Sequence, residues 1–154
     1  MARAEEKNLA LPAANQACRA RIDKLEPATA PVWGKMTPAQ MMAHCSEVLE
    51  VAGGKELKGT PLFIKLIKPM IRKAVLGPNP FPRSTRTHPQ YLMAGDMDFA
   101  AEKERLLRGL DDFTKKCAGR IEGFHHPVFG TLTVDEAGWA MYKHLDHHLA
   151  QFGV

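Results

Sequence analysis

Thr133-Val-Asp-Glu-Ala-Gly-Trp-Ala-Met-Tyr-Lys-His-Leu-Asp-His-His-Leu-Ala-Gln-Phe152 is the stretch on which the fold reading turns. It opens with a capping box: Thr133 supplies the N-cap oxygen and Glu136 stands at the third helical position. Asp135 and Glu136 also suit the positive end of a helix dipole. At about 100° per residue, Val134, Ala137, Met141, Leu145 and Phe152 form one apolar stripe. His148 falls inside that stripe and His144 at its edge, while His147 points toward the polar face. His144 and His148 are spaced i,i+4, so their imidazoles lie one above the other. That spacing lets two rings reach one metal ion.

The same signals recur upstream. Thr37-Pro-Ala-Gln40 is a second capping box, with proline at the first helical position. The helix it starts runs to about Ala52 and stops at Gly53-Gly54. Met41, Met42, Cys45, Val48, Leu49 and Ala52 make its apolar stripe, and His44 sits at the border of it. Further helices are expected at Ala13–Leu25, at Leu62–Leu76 with a kink or split at Pro69, and at Asp98–Lys116. Almost no strand signal is present. Gly77–Pro89, rich in proline, reads as a long irregular cover or crossover. The fold class is therefore all-α, one domain over 1–154. It is expected to be a four-helix bundle with a long crossover loop and a short extra N-terminal helix.

Composition narrows the function classes. The chain is 45% apolar and 25% charged, which fits a globular domain. A net charge of +4 falls short of the concentrated positive charge of a nucleic-acid binder, so no nucleic-acid partner is expected. No run has the length of a membrane span and the first residues lack the apolar core of a signal peptide, so no membrane partner is expected. The basic stretch Lys65–Lys73 reads as a solvated helix face. Cys18, Cys45 and Cys117 are odd in number and form no C-x-x-C, which fits a reducing cytoplasm.

Residue by residue, two helices can present His44, His144 and His148 to a shared crevice. Neutral imidazole suits zinc, nickel, iron or copper, and spacing does not choose among them. Glu47, one turn after His44, is the weak candidate for a catalytic base, although a carboxylate there ordinarily faces solvent. Cys45 reads as a small core residue, and Gln151 as a group able to orient a ligand. Arg83 and Arg86 flank the proline-rich loop and could meet an anion. The roles of His125, His126 and His147 stay open, and His88 is given none.

Trp33-Gly-Lys-Met-Thr-Pro-Ala-Gln-Met-Met-Ala-His44, His126-Pro-Val-Phe-Gly-Thr-Leu-Thr133 and Tyr142 to Phe152, with the looser Phe81-Pro-Arg83, resemble the DinB-like superfamily. More closely, they resemble a bacterial subfamily of unassigned function within it, over about Leu25 to Val154. The resemblance implies a helical bundle with a three-histidine metal site at His44, His144 and His148. It also implies a divalent transition metal that activates water or a low-molecular-weight thiol for attack on a small electrophilic substrate. A non-catalytic metal- or ligand-binding bundle in a stress response is the alternative, and a homodimer is compatible with either.

Overall fold

The computed structural model describes residues 5–154. Among them are six α-helices and one two-stranded hairpin: α1 (Pro12–Ile22), α2 (Pro38–Ala52), α3 (Leu62–Leu66), α4 (Lys68–Leu76), α5 (Phe99–Cys117), β1 (Phe124–His126), β2 (Gly130–Leu132) and α6 (Val134–Gln151). The chain is mainly helical, as its periodicity predicts. No helix among the described residues is long and apolar enough to cross a membrane.

The two capping boxes set the helices that matter most. Gln40 N–H donates to Thr37 Oγ1 at 3.1 Å while Thr37 N–H donates to Gln40 Oε1 at 3.0 Å. Glu136 N–H and Thr133 Oγ1 (3.1 Å), with Thr133 N–H and Glu136 Oε2 (2.9 Å), repeat the arrangement at the start of α6. Each lock satisfies backbone donors that a helix start otherwise leaves open. Asp98 caps α5 by accepting from Ala101 N–H at 2.7 Å.

The four long helices, α1, α2, α5 and α6, share one core. Cys18 and Ile22 of α1 meet Met41, Met42, Cys45 and Leu49 of α2, Leu106, Leu110 and Phe113 of α5, and Leu145 and Leu149 of α6. α2 packs against both α5 and α6, and α1 bridges α5 and α6. α1 is thus integral to the core. It ends at Ile22, short of the expected Leu25, yet Leu25 is still buried. Gly138 lets the residues before α1 lie flat on α6: a Cβ there would stand 1.7 Å from Asn8 Oδ1 and 2.8 Å from Ala10 N.

The split expected at Pro69 within Leu62–Leu76 is present, and the break falls at Ile67, two residues before the proline. Pro69 has no N–H to offer the carbonyl of Lys65, and its ring crowds that carbonyl, so the turn opens upstream of it. Lys65 and Lys73 are exposed, in keeping with a solvated basic face, and so are Leu66 and Met70 within that stretch and Leu62 and Phe63 just before it. Although the sequence carries almost no strand signal, the residues before α6 form an antiparallel hairpin pairing Phe124 with Leu132 and His126 with Gly130. Its turn is tightened by His126, whose Nδ1 accepts from Val128 and Phe129 N–H at 3.1 and 3.2 Å and whose ring stacks on Phe129.

Candidate metal centre

α2 and α6 bring His44, His144 and His148 together, each able to offer one nitrogen, with these atoms within 4.8 Å of one another. His44 Nε2 and His144 Nε2 stand 3.0 Å apart. The ring of His148 lies 4.7 Å, centroid to centroid, from each of the other two. Metal–nitrogen bonds of about 2.0–2.1 Å separate neighbouring ligands by about 3.3 Å in a tetrahedron, and by about 2.9 Å on one face of an octahedron. The His44–His144 separation therefore already matches an ion shared between them.

The outer hydrogen bonds fix the tautomers. His44 Nδ1 lies 2.8 Å from the carbonyl oxygen of Tyr91, which only accepts, so Nδ1 carries the proton and Nε2 the lone pair. Gln151 donates its amide N–H to the carbonyl of Trp33 at 3.0 Å, which turns its oxygen toward His148 Nδ1 at 2.9 Å. His148 is thereby protonated at Nδ1 with a free lone pair at Nε2. Imidazole ligands commonly have this support, a second ring N–H held by a carbonyl or amide oxygen. Gly34 makes room for it: its φ is +80°, and a Cβ there would lie 2.6 Å from the Gln151 amide nitrogen.

Burial keeps the cluster uncharged. Desolvation, and then the neighbouring imidazoles, hold His144 well below its ordinary pKa. His148 is lowered to about 3 by burial and then by His44. His44 is lowered by burial despite its bond to Tyr91. Near neutral pH all three rings are neutral, the state in which imidazole binds a metal. His44 and His148 are buried, and His144 is half-buried.

The other candidates separate cleanly from this group. Glu47 is buried, contrary to the expected solvated carboxylate, and belongs to a different network. It accepts from Lys55 (2.8 Å), Arg105 (2.8 Å) and Gln90 (2.9 Å). Burial works to raise its pKa, but those hydrogen bonds outweigh it and hold the carboxyl below its usual range. Through Gln90, Glu47 anchors the short 3-10 turn Pro89–Tyr91 that carries the carbonyl facing His44. His147 packs edge-on against Trp33 and Phe81. His126 is buried in the hairpin turn, and His125 is exposed on β1. Arg83 lies over the Trp33 ring, and Arg86 is exposed. All three cysteines are free and buried. Burial raises Cys18 and Cys117 to about 11 and Cys45 still further.

Sequence reasoning missed two supports of the centre, the carbonyls of Tyr91 and Trp33. A backbone oxygen leaves no mark on residue identity. His88, given no role, is the nearest trace of the first. It caps the 3-10 turn by accepting from Gln90 N–H at 3.1 Å, and its other nitrogen lies 3.1 Å from Thr60 Oγ1.

No curated protein and no solved structure matches the chain. The family model described as "Protein of unknown function (DUF1569)" matches residues 3–153. With nearly its whole length matched, from before α1 to the end of α6, the chain belongs to the DUF1569 family.

Proposed function

We propose that this protein is a metal-dependent enzyme of the DinB-like type, built as a four-helix bundle of α1, α2, α5 and α6. In this reading His44, His144 and His148 hold a divalent transition metal, zinc, nickel or iron. The observation that carries the reading is the convergence of three neutral imidazoles, two with their lone pairs turned inward by carbonyl partners. A bound divalent ion would supply Lewis acidity, making a water or a low-molecular-weight thiol nucleophilic near neutral pH.

The chain's own groups divide the remaining work. Tyr91 and Gln151 orient two of the rings through their oxygens. His144 is the one member of the three that is half-buried as a residue. No cysteine supplies the nucleophile, because every thiol is buried with a raised pKa. A nucleophile arriving from solution fits transfer to, or hydrolysis of, a small electrophile. The direct His44–His144 contact favours one rival, a metal-free hydrogen-bonded pair with a structural role only.

Elemental analysis of protein purified without an affinity tag separates these readings. One equivalent of metal, lost in His44→Ala and in His148→Ala but kept in His147→Ala, is the expected result. Wild-type protein that takes up no zinc, nickel or iron on titration overturns the proposal. A thiol-transfer and hydrolysis screen on the loaded protein then distinguishes an enzyme from a non-catalytic binder.

A further inference from the structure

Beside the histidine cluster, a cavity of about 320 Å³ opens between α6, the loop before α2 and the loop after α4. That size suits a small organic ligand. Its walls are the rings of Trp33 and Phe81, and the imidazole of His147 stands edge-on to both, 5.7 and 5.9 Å between centroids. Aromatic surface of this kind is what a ligand ring seeks.

Two of the polar groups lining the cavity are cationic. The Arg83 guanidinium lies 4.2 Å from the Trp33 ring centroid, and Lys143 Nζ lies 4.4 Å from that of Phe81. Lys143 is buried and committed to the carbonyls of Ala74 and Gly77, so it lends charge without moving. Arg83 is exposed, and no carboxylate among the described residues pairs with it. The one carboxylate in the lining, Asp146, is held by Arg21 at 2.6 Å. The wider field agrees. Residues 57–95 contain seven lysines and arginines and no aspartate or glutamate, in a chain whose net charge is only +4. Arg72 is paired with Glu136 and Lys58 with Glu56, which leaves five of the seven without a carboxylate partner among the described residues to attract an anion.

We propose that this cavity binds a small aromatic carboxylate, its ring between Trp33 and Phe81 and its carboxylate on the fork of Arg83. Arginine suits that task because its planar donors match both oxygens of a carboxylate. The position gives the ligand a bearing on the neighbouring centre. Trp33, one wall, holds Gln151 through its carbonyl, and Gln151 holds His148. The ring of His147 lies 5.1 Å from that of His148. Naming the anion as a substrate rests on the metal-centre reading; its binding does not.

The test is a titration of metal-free and of zinc-loaded protein with benzoate, and with benzyl alcohol as the neutral match, read by NMR on the indole N–H of Trp33. The expected result is saturable binding of benzoate in both forms, stronger than that of benzyl alcohol. Arg83→Gln should weaken benzoate at least tenfold, leave benzyl alcohol unchanged and keep the zinc content of wild type. Arg86→Gln, outside the cavity, should leave benzoate unchanged. No saturable shift at Trp33, equal binding of the two probes, or equal weakening by Arg83→Gln and Arg86→Gln overturns the proposal. Because zinc content is measured on the same samples, a failed cavity with intact metal binding is distinguishable from a failed metal centre.

Discussion

Gln151→Leu is the sharpest probe of the centre, because Gln151 touches no metal and acts only through His148. The leucine keeps most of the volume but removes the oxygen 2.9 Å from His148 Nδ1 and the donor 3.0 Å from the Trp33 carbonyl. Two groups lose their partner, and they are not equivalent. Trp33 lies in a half-exposed loop where water replaces the amide, whereas His148 is buried. The cost is therefore mainly one orphaned buried N–H, about 1–3 kcal/mol of folding stability. The His148 ring also loses its preferred tautomer and orientation, for which about a 10- to 100-fold drop in metal affinity is expected. Zinc competition against a chromophoric chelator measures the affinity, and urea unfolding of the metal-free protein measures the stability. Gln151→Glu keeps an acceptor toward His148 while losing the donor to Trp33, so it should retain zinc affinity better than the leucine variant. A folded Gln151→Leu protein with zinc affinity within twofold of wild type would refute the orienting role.

Burial, and then the charges of His125 and Lys68, lower His126 to about 4, so the folded state resists its protonation while the unfolded chain accepts a proton below about 6.5. Stability from this group is thus full above pH 6.5 and falls as pH drops toward 4, by about 1.4 kcal/mol per unit and roughly 3 kcal/mol in all. His126→Asn keeps an acceptor for Val128 and Phe129 without titrating, so urea unfolding between pH 7 and 4 should show a slope shallower by that amount; identical slopes would contradict the assignment. Gly138→Ala should cost about 1–3 kcal/mol by thermal unfolding, because the new Cβ meets the Ala10 backbone nitrogen as well as the Asn8 side chain. Glu47→Gln should lower stability by about 1–2 kcal/mol yet leave zinc stoichiometry at one, since Glu50 still pairs with Lys55 and Arg105; loss of the metal would place Glu47 in the centre instead.

Much of this organisation is legible in the sequence where one residue's identity determines its surroundings. Thr37 with Gln40, and Thr133 with Glu136, announce helix starts because only such side chains close the reciprocal bonds. The helical period then turns His44, His144 and His148 toward one crevice. What stays illegible depends on contacts far apart in sequence. Glu47 reads as a surface carboxylate, and only the approach of α5 with Arg105 explains its burial. The strands Phe124–His126 and Gly130–Leu132 are three residues each, too short for a periodic pattern. The position of the break between α3 and α4 reflects Pro69 acting on the turn before it, and nothing in the residues from Leu62 to Leu66 says that they remain uncovered.

The reciprocal locks at Thr37 and Thr133 also act as zero marks on two rulers. His44 stands seven positions after the first, and His144 and His148 stand eleven and fifteen after the second. These intervals are about two, three and four turns, so His44 and His144 return to within about 20° of the azimuth of their caps and His148 to within about 60°. Inserting or deleting a single residue between mark and imidazole swings the ring by about 100°, out of the crevice. Length variation in relatives should therefore collect in residues 53–98 and 118–132 and be absent between Thr37 and His44 and between Thr133 and His148.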